Sequence, residues 1–460
     1  MGAANMTING KYLEEKRKNL GLDQNQLAKL LDWKKHKVSD YEMHPEIPLK
    51  TEDVEKLLYF LFKQQSPQDE AKPILESLLS EFHEENHSFS PNKILAHPEI
   101  IGKLFCDEWN VHPFLVEIHL TNECTHQCPL CTFADIHHNK DRERQSFDKD
   151  RLFSLLEELK ANGTRAIFWS GGGDPLMYPH VEEVFKKAAE CGFQQILITN
   201  GSNLDKVDND FLVRNFSTVR VSLDAHTDHG FKLTHGSPNR DAAAEFYKIR
   251  GNIVKLAEAF RKCPVNERNA DMNKTGIGVS FLIHKGNKDE VVGFCTMARD
   301  DLKVQYVAIK PIVHERNEDN DKMLEELITK DFADALRTAR ERNNNKLQFR
   351  VFTLEHKFLD MLSDNYGKTY SKCLAHPLYP SISADGGVYP CCLMIGKDGL
   401  CYGNVNNQTF QQIWLGDNRK QAVNNIDIAV CPINCKLSET NKTLEIVRRA
   451  RELSLPDYLN

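Results

Sequence analysis

The sequence has no apolar run long enough to cross a bilayer, which excludes a helical membrane span. It has no surplus of positive charge. Lysine and arginine number 59 against 66 aspartates and glutamates, a net charge of −7, so the chain as a whole is not drawn to nucleic acid or anionic lipid. Its first residues are polar and lack the apolar centre of a secretory signal. A cytoplasmic chain is therefore expected. Its 13 cysteines then read as metal or redox chemistry rather than as disulfides.

Another shortage is local. "NECTHQCPLCTF", residues 122–133, sets Cys124, Cys128 and Cys131 close together with no fourth cysteine in reach. Electron-transfer clusters take four cysteines, so three thiolates leave one iron of a [4Fe–4S] cluster open to an exogenous ligand. An open position is also what separates a catalytic from a structural zinc site, and the alternative is zinc completed by His119, His126 or His137.

What surrounds this loop is patterned. Short β-branched runs, "FLVEIHL", "RAIFWS", "QQILITN", "TVRVSLD", "GIGVSFLI" and "VQYVAIKPI", alternate with helical stretches near 148–161, 179–191, 205–214, 241–262, 288–299 and 322–343. Such alternation predicts an α/β fold with a parallel sheet, here a partial (β/α)6 barrel over 113–345. Its active site is expected on the loops after the strands. Residues 6–65 read as short helices, 66–112 as a helical linker, and 346–460 as a Cys-, Gly- and Pro-rich region closed by the helix "NKTLEIVRRARELS".

C-x3-C-x2-C after the first strand of such a barrel resembles the radical S-adenosylmethionine (SAM) superfamily. Leu130 stands where that family often has an aromatic residue. The resemblance implies that the amino and carboxylate groups of SAM chelate the open iron. Reductive cleavage would then give a 5′-deoxyadenosyl radical that abstracts a hydrogen atom, with flavodoxin or ferredoxin as electron donor. It also implies roles for residues at matching places. Gly171, Gly172, Gly173 and Asp174 in "SGGGDP" resemble the Gly-Gly-Glu element that holds the SAM amino group. Thr199 and Asn200 face SAM at the end of the third strand. Ser222 and Asp224, two residues apart, resemble polar contacts to its ribose or carboxylate, or else cap the following loop. Asn287 is placed at the adenosyl moiety.

A second cysteine region, C-x12-G-x4-C from Cys373 through Gly386 to Cys391, then Cys392 and Cys431-x3-Cys435, resembles the SPASM and twitch extensions. One auxiliary [4Fe–4S] cluster is expected on Cys373, Cys391 or Cys392, Cys431 and Cys435, with a zinc knuckle as the alternative. Spare thiols suit an enzyme that returns a hydrogen atom to the opposite face of a carbon. Cys373 is either ligand or donor, and Cys263 and Cys295 are further donor candidates.

At the N-terminus, "LGLDQNQLAKLLDWKKHKVSDYE" resembles the helix-turn-helix of repressor-like domains through Leu22, Gln26, Leu27, Ala28, Leu31, Val38 and Glu42. Acids and bases nearly balance there, so a module that docks a peptide or protein is expected rather than a DNA reader. Together these resemblances point to a maturase of a ribosomally made precursor peptide, most like the proteusin-type epimerases that convert L residues to D at Cα. The alternatives are a cross-linking or excising maturase and, in another class, a redox-responsive DNA-binding regulator.

Overall fold

The β-branched runs form strands, and most of the predicted helices start at a side-chain cap. In the computed structural model, Asp148, Asp208, Asp241 and Thr329 each accept a hydrogen bond from a first-turn N–H of the helix they precede. The structure describes residues 6–8, 10–19, 21–31, 33–43, 47–49, 94–95, 97–134, 145–236, 241–284, 286–312, 327–344, 349–361, 368–432 and 435–453. The predicted helix over 51–64 and most of the 66–112 linker lie outside the described residues.

The chain divides into two units, Met1–Asp69 with Arg449–Asn460, and Glu70–Arg448. In the first, β1 (Met6–Ile8) pairs antiparallel with β2 (Ile47–Leu49), and α1 (Gly10–Asn19), α2 (Gln24–Leu30) and α3 (Lys35–Met43) lie between them in sequence. Leu13, Leu27, Ala28, Leu31, Val38 and Tyr41 form its core. Asp23 and Gln26 close a capping box on α2. Glu42 is buried and takes two bonds from Arg17, at 2.5 and 3.0 Å, and one from Gln24. The residues that carry the repressor-like pattern thus hold this small unit together, while Lys34, Lys35 and His36 stay exposed.

In the second unit α4 (Pro98–Cys106) precedes β3 (Leu115–His119), α5 (Lys149–Ala161), β4 (Ala166–Ser170), α6 (Val181–Glu190), β5 (Gln194–Thr199), α7 (Asn209–Asn215) and β6 (Phe216–Ser222). Then come α8 (Asp228–His235), α9 (Ala242–Lys262), α10 (Met272–Thr275), β7 (Ile277–Ile283), α11 (Val291–Asp300), β8 (Tyr306–Pro311), α12 (Lys330–Asn343), β9 (Arg350–Thr353) and α13 (Glu355–Met361). The C-terminal region adds β10 (Ser381–Ile382), β11 (Gly387–Tyr389), β12 (Gly403–Asn404), α14 (Phe410–Leu415), α15 (Asp417–Asn424) and α16 (Ser438–Leu453). None of the helices searched among the described residues is long and apolar enough to cross a membrane.

The six predicted strands lie side by side and parallel in the order β3-β4-β5-β6-β7-β8. Two features were not predicted. Strand β9 extends one edge past residue 345, and β10 pairs parallel with β3, so the cysteine-rich region continues the barrel's own sheet. Along β3, β4, β6, β7 and β8 the two faces differ. Val116, Ile118, Ile167, Trp169, Val219, Val221, Val279 and Val307 join the main core under the helices. The alternate positions, Glu117, His119, Ser170, Thr218, Arg220, Ser222, Ser280 and Lys310, give the other face an unusual polar content.

The junction between barrel and C-terminal region is held by charge as well as by backbone. Glu117 on β3 is 2% exposed and is bonded to Lys436 and, at 3.2 Å, to His119. Burial opposes its charge, but Lys436 and His119 outweigh that and hold the carboxyl down from 4.5 to about 2. The stabilisation is therefore complete above pH 4.5 and is lost as the pH falls through 2. Glu117→Gln is expected to lower the stability of the cofactor-free chain at pH 7 by about 3 kcal/mol. The gap from the parent should close towards pH 2. Urea unfolding across that range checks it, and a gap independent of pH would show that the ion pair is not its source.

Candidate radical SAM site

The three-cysteine loop leaves the C-terminal end of β3 and is clamped from both sides by glycine backbone. On one side Gly173 N donates to Thr121 O at 3.1 Å and Asp174 N to Glu123 O at 2.8 Å. On the other, Gln127 N donates to Gly236 O at 2.7 Å. A Cβ on Gly173 would lie 2.1 Å from Glu123 O, and one on Gly236 2.4 Å from Gln127 O. Only glycine permits this approach.

The sulfurs are half-buried and already addressed by N–H groups. His126 N donates to Cys124 Sγ at 3.5 Å and Phe133 N to Cys131 Sγ at 3.3 Å. Asn200 Nδ2 also reaches Cys124 Sγ, at 3.5 Å, and His235 Nδ1 lies 3.5 Å from Cys128 Sγ. Burial pushes all three thiols up, Cys124 to about 12 with Asp174 adding repulsion, and Cys128 well above its usual range with Cys124 and Cys131 beside it. Thiols held as neutral acids next to ready N–H donors suit iron, which replaces the proton and leaves thiolate sulfur to accept those bonds.

Asp174 ties the neighbouring loops together. It is 3% exposed and accepts from Leu176 N at 2.9 Å, Thr199 Oγ1 at 2.8 Å and Asn200 N at 2.7 Å. Burial pushes its carboxyl up while these three donors pull it down. Thr199 spends its hydroxyl on Asp174 and accepts from Gly201 N. Asn200 links onward to Thr125 Oγ1 at 2.9 Å. Gly172 N donates to His119 Nδ1 at 3.0 Å. Gly171 to Asp174, Thr199 and Asn200 therefore converge beside the cysteine loop, with Asp174 and Thr199 facing each other.

Ser222 ends β6 and meets Ser280 Oγ at 3.4 Å on the polar face. Asp224 lies past the strand with φ 49°, a left-handed conformation uncommon for aspartate. Its Oδ1 accepts from Leu282 N at 2.7 Å, and burial pushes the carboxyl up to about 6. Although the strand ends at Ser222, Ser280 bonds to both Ser222 and the Asp224 carboxyl, so the two side chains meet the same face. Asn287 is 3% exposed and turns its amide to His284 N, Leu282 O and Asp224 O. It anchors the loop after β7.

Of the zinc-ligand candidates, His119 is committed to Gly172 and Glu117, and His137 lies outside the described residues. His126, Cys128 and His235 do bring ligand atoms within 4.8 Å of one another. His126 Nε2, however, faces Ser202 Oγ at 3.1 Å and Glu245 at 3.6 Å, in a buried network under the loop that sequence reasoning missed. Only the fold reveals Glu245, which comes from α9.

The second group of cysteines sorts itself. Cys373, Cys391, Cys431 and Cys435 meet in one small core with Leu374, Met394, Leu437 and Leu444. Burial and their neighbours' sulfurs push the Cys373 thiol up to about 12. Cys391 is extended, with φ −165° and ψ 169°, so the next side chain turns the other way. Cys392 accordingly leaves this core and contacts Lys436 and Glu117. Cys263 and Cys295 are buried in the main core at the end of α9 and in α11.

The fold and the loop define a class: a parallel α/β barrel with a three-thiol site at its strand ends. Comparisons with known proteins agree. Residues 118–262 match the family model of the Radical SAM superfamily, and residues 373–436 match that of SPASM, an iron-sulfur cluster-binding domain. The chain carries a radical SAM domain followed by a SPASM domain. These imply a [4Fe–4S] cluster with SAM, and auxiliary iron–sulfur clusters.

An S-adenosylmethionine-dependent nucleotide dehydratase of Flammeovirga pacifica is 32% identical over 27% of this chain and 43% of its own length. One from Selenomonas ruminantium is 24% identical over 36% and 61%. The chain thus spans less than two thirds of these relatives. An AdoMet-dependent heme synthase of Methanosarcina barkeri is 22% identical over 66% and 82%. Streptococcus suis SuiB bound to precursor peptide SuiA shares the fold, with a TM-score of 0.50, 14% identity and 74% of each chain covered.

Gly173→Ala is expected to force the cysteine loop off its neighbour and remove most of the iron held there. Gly251→Ala, in α9 with nothing within 4 Å of the added Cβ, should keep full iron. Iron content and charge-transfer absorbance after anaerobic reconstitution read the difference; equal loading would show that the clamp does not position the loop.

Proposed function

We propose that the chain is a radical SAM maturase of a ribosomally made peptide and that it epimerises L residues to D at Cα. The observation that carries the reading is the separation of one thiol, Cys392, from four that converge. When bound, the cluster and SAM supply a 5′-deoxyadenosyl radical that removes a hydrogen atom from the substrate.

The chain's own residues then have distinct tasks. Cys124, Cys128 and Cys131 hold the catalytic cluster, and the Gly171–Asp174 and Thr199–Asn200 turns shape the wall beside SAM. Cys373, Cys391, Cys431 and Cys435 hold the auxiliary cluster, which takes up the ligand side of the Cys373 alternative. Cys392 returns the hydrogen. Its S–H bond breaks as the new Cα–H bond forms on the opposite face. The resulting sulfur radical takes one electron from a low-potential donor of the flavodoxin or ferredoxin type and one proton from the Lys436 ammonium it touches. The small N-terminal unit docks the precursor peptide, with its exposed Lys34, Lys35 and His36 available to acidic residues. A fold shared with a protein crystallised on its precursor peptide supports a peptide substrate.

A second reading has one observation in its favour. Four converging cysteines complete a cluster that suits accepting an electron, as a cross-linking or excising maturase requires.

Mass spectrometry in D2O separates them, with reconstituted protein, SAM, a reductant and the peptide encoded nearest its gene. Deuterium gain at Cα with no other mass change is expected. Hydrogen loss or a lost fragment would establish the second reading. Cys392→Ala should abolish the gain while 5′-deoxyadenosine still forms, and Cys373→Ala should lose auxiliary iron. Joint replacement of Cys124, Cys128 and Cys131 by alanine should abolish 5′-deoxyadenosine; its persistence would overturn the assignment.

A further inference from the structure

The polar face of the barrel sheet gathers cations that the chemistry above leaves unused. Arg220 stands between Val219 and Val221, which enter the main core, so it faces the opposite side. Lys310 follows Ile309 of the same core and faces that side too. The row between them is small: Ser222 lies opposite Ser280, and Ser280 opposite Ala308. The row of Arg220 is closed by Tyr306, whose ring crosses over Gly278 so closely that a Cβ there would sit 2.2 Å from it. The Tyr306 hydroxyl ends against Thr218 Oγ1 at 3.1 Å.

The charges on this face do not cancel. Burial, with Arg220 and Lys357 beside it, pushes the Lys310 amine down to about 7, and Asp224 is the acid that acts against this shift. Lys436, also close, is already paired with Glu117. Asp224 turns Oδ1 to the Leu282 backbone and is itself near His235, at 3.8 Å. Arg220 Nε is buried with no hydrogen-bond partner among the described residues. Asp224 lies near both Lys310 and Arg220, so two cations share one acid. A surplus cation in so enclosed a place costs free energy, so the arrangement is expected where a ligand supplies a second anion.

We infer that the barrel's polar face binds a carboxylate of the substrate between Arg220 and Lys310. Under the peptide reading, on which this inference rests for its source, the carboxylate belongs to an acidic residue beside the one modified or to a free C-terminus. Arg220 offers a planar fork that matches a carboxylate, and Lys310 a point charge. Asp224 marks the side of the site towards Cys128, whose thiol it also influences. The bound carboxylate therefore lies within the barrel near the catalytic loop and selects substrate register.

Amine labelling of the full reconstituted chain tests this without turnover. Acetylation of Lys310 is followed by peptide mapping, with surface lysines as internal reference. A short peptide amide carrying one glutamate should slow Lys310 labelling by about tenfold, the scale of one charge-assisted hydrogen bond. The same peptide with glutamine should not, and Arg220→Gln should remove the protection while leaving the surface lysines unchanged. A peptide acid with no acidic side chain should protect only if a C-terminal carboxylate also serves. The inference is overturned if no carboxylate probe protects, if inorganic phosphate protects and the glutamate peptide does not, or if SAM alone gives the full effect. Any of these leaves the maturase reading standing, since 5′-deoxyadenosine formation and deuterium gain test that separately.

Discussion

A single buried carboxylate organises the catalytic end of the barrel. Asp174 follows β4, yet two of its three hydrogen bonds come from Thr199 and Asn200 at the end of β5. Its own backbone N–H holds Glu123 in the cysteine loop after β3. Three loops from three strands are thereby fixed on one residue. Burial works against a charged carboxylate, and only the three donors that converge on it offset that cost. The geometry is accordingly all or nothing: loss of one donor loosens loops on which the positions of three sulfurs depend. The glycine run beside it belongs to the same constraint, because backbone pairing between Gly173 and the cysteine loop leaves no volume for a side chain.

That knot sits on a sheet with two different faces. The side under the helices is closed by Val, Ile, Leu and aromatic residues, which supply most of the driving force for folding. The other side carries Glu117, His119, Arg220, Ser222 and Lys310. A parallel sheet is ordinarily apolar on both faces. The departure from that rule is concentrated on the face away from the helices, where burying polar groups costs stability. The same face explains why the overall charge of −7 says nothing about the ligand. Acids dominate the chain as a whole, while cations dominate this part of its interior.

Much of this was legible in the sequence, for identifiable reasons. The six strands stood out because β-branched residues cluster in short runs. Cys124, Cys128 and Cys131 needed only their spacing. What was not legible depends on contacts between distant segments. Ser381 of β10 pairs beside Glu117 across 264 residues, and two residues of strand leave no periodic trace. Spacing gave Ser222 and Asp224 one face, which both reach at Ser280, but it gave no sign that the strand ends at Ser222 and that Asp224 arrives there from a left-handed conformation. Asn287 was placed at a ligand because it follows a strand, whereas its amide closes its own loop. Arg220 and Lys310 were read simply as parts of strands, since only the sheet brings β6 and β8 to one face.

The adjacent cysteines 391 and 392 show how far such an ambiguity is set by backbone alone. Composition offers no means of choosing between two identical neighbours. An extended residue at 391 sends consecutive side chains to opposite sides, so one sulfur joins Cys373, Cys431 and Cys435 and the other cannot. Lys436 then follows Cys435 directly and bonds to Glu117 on β3, placing an ammonium and a carboxylate against the excluded sulfur. The joint that fastens the C-terminal region to the barrel is thus the same set of residues that surrounds Cys392. The ion pair that locks the two segments therefore also sets the electrostatic surroundings of that thiol, and a change in either residue would be felt at both.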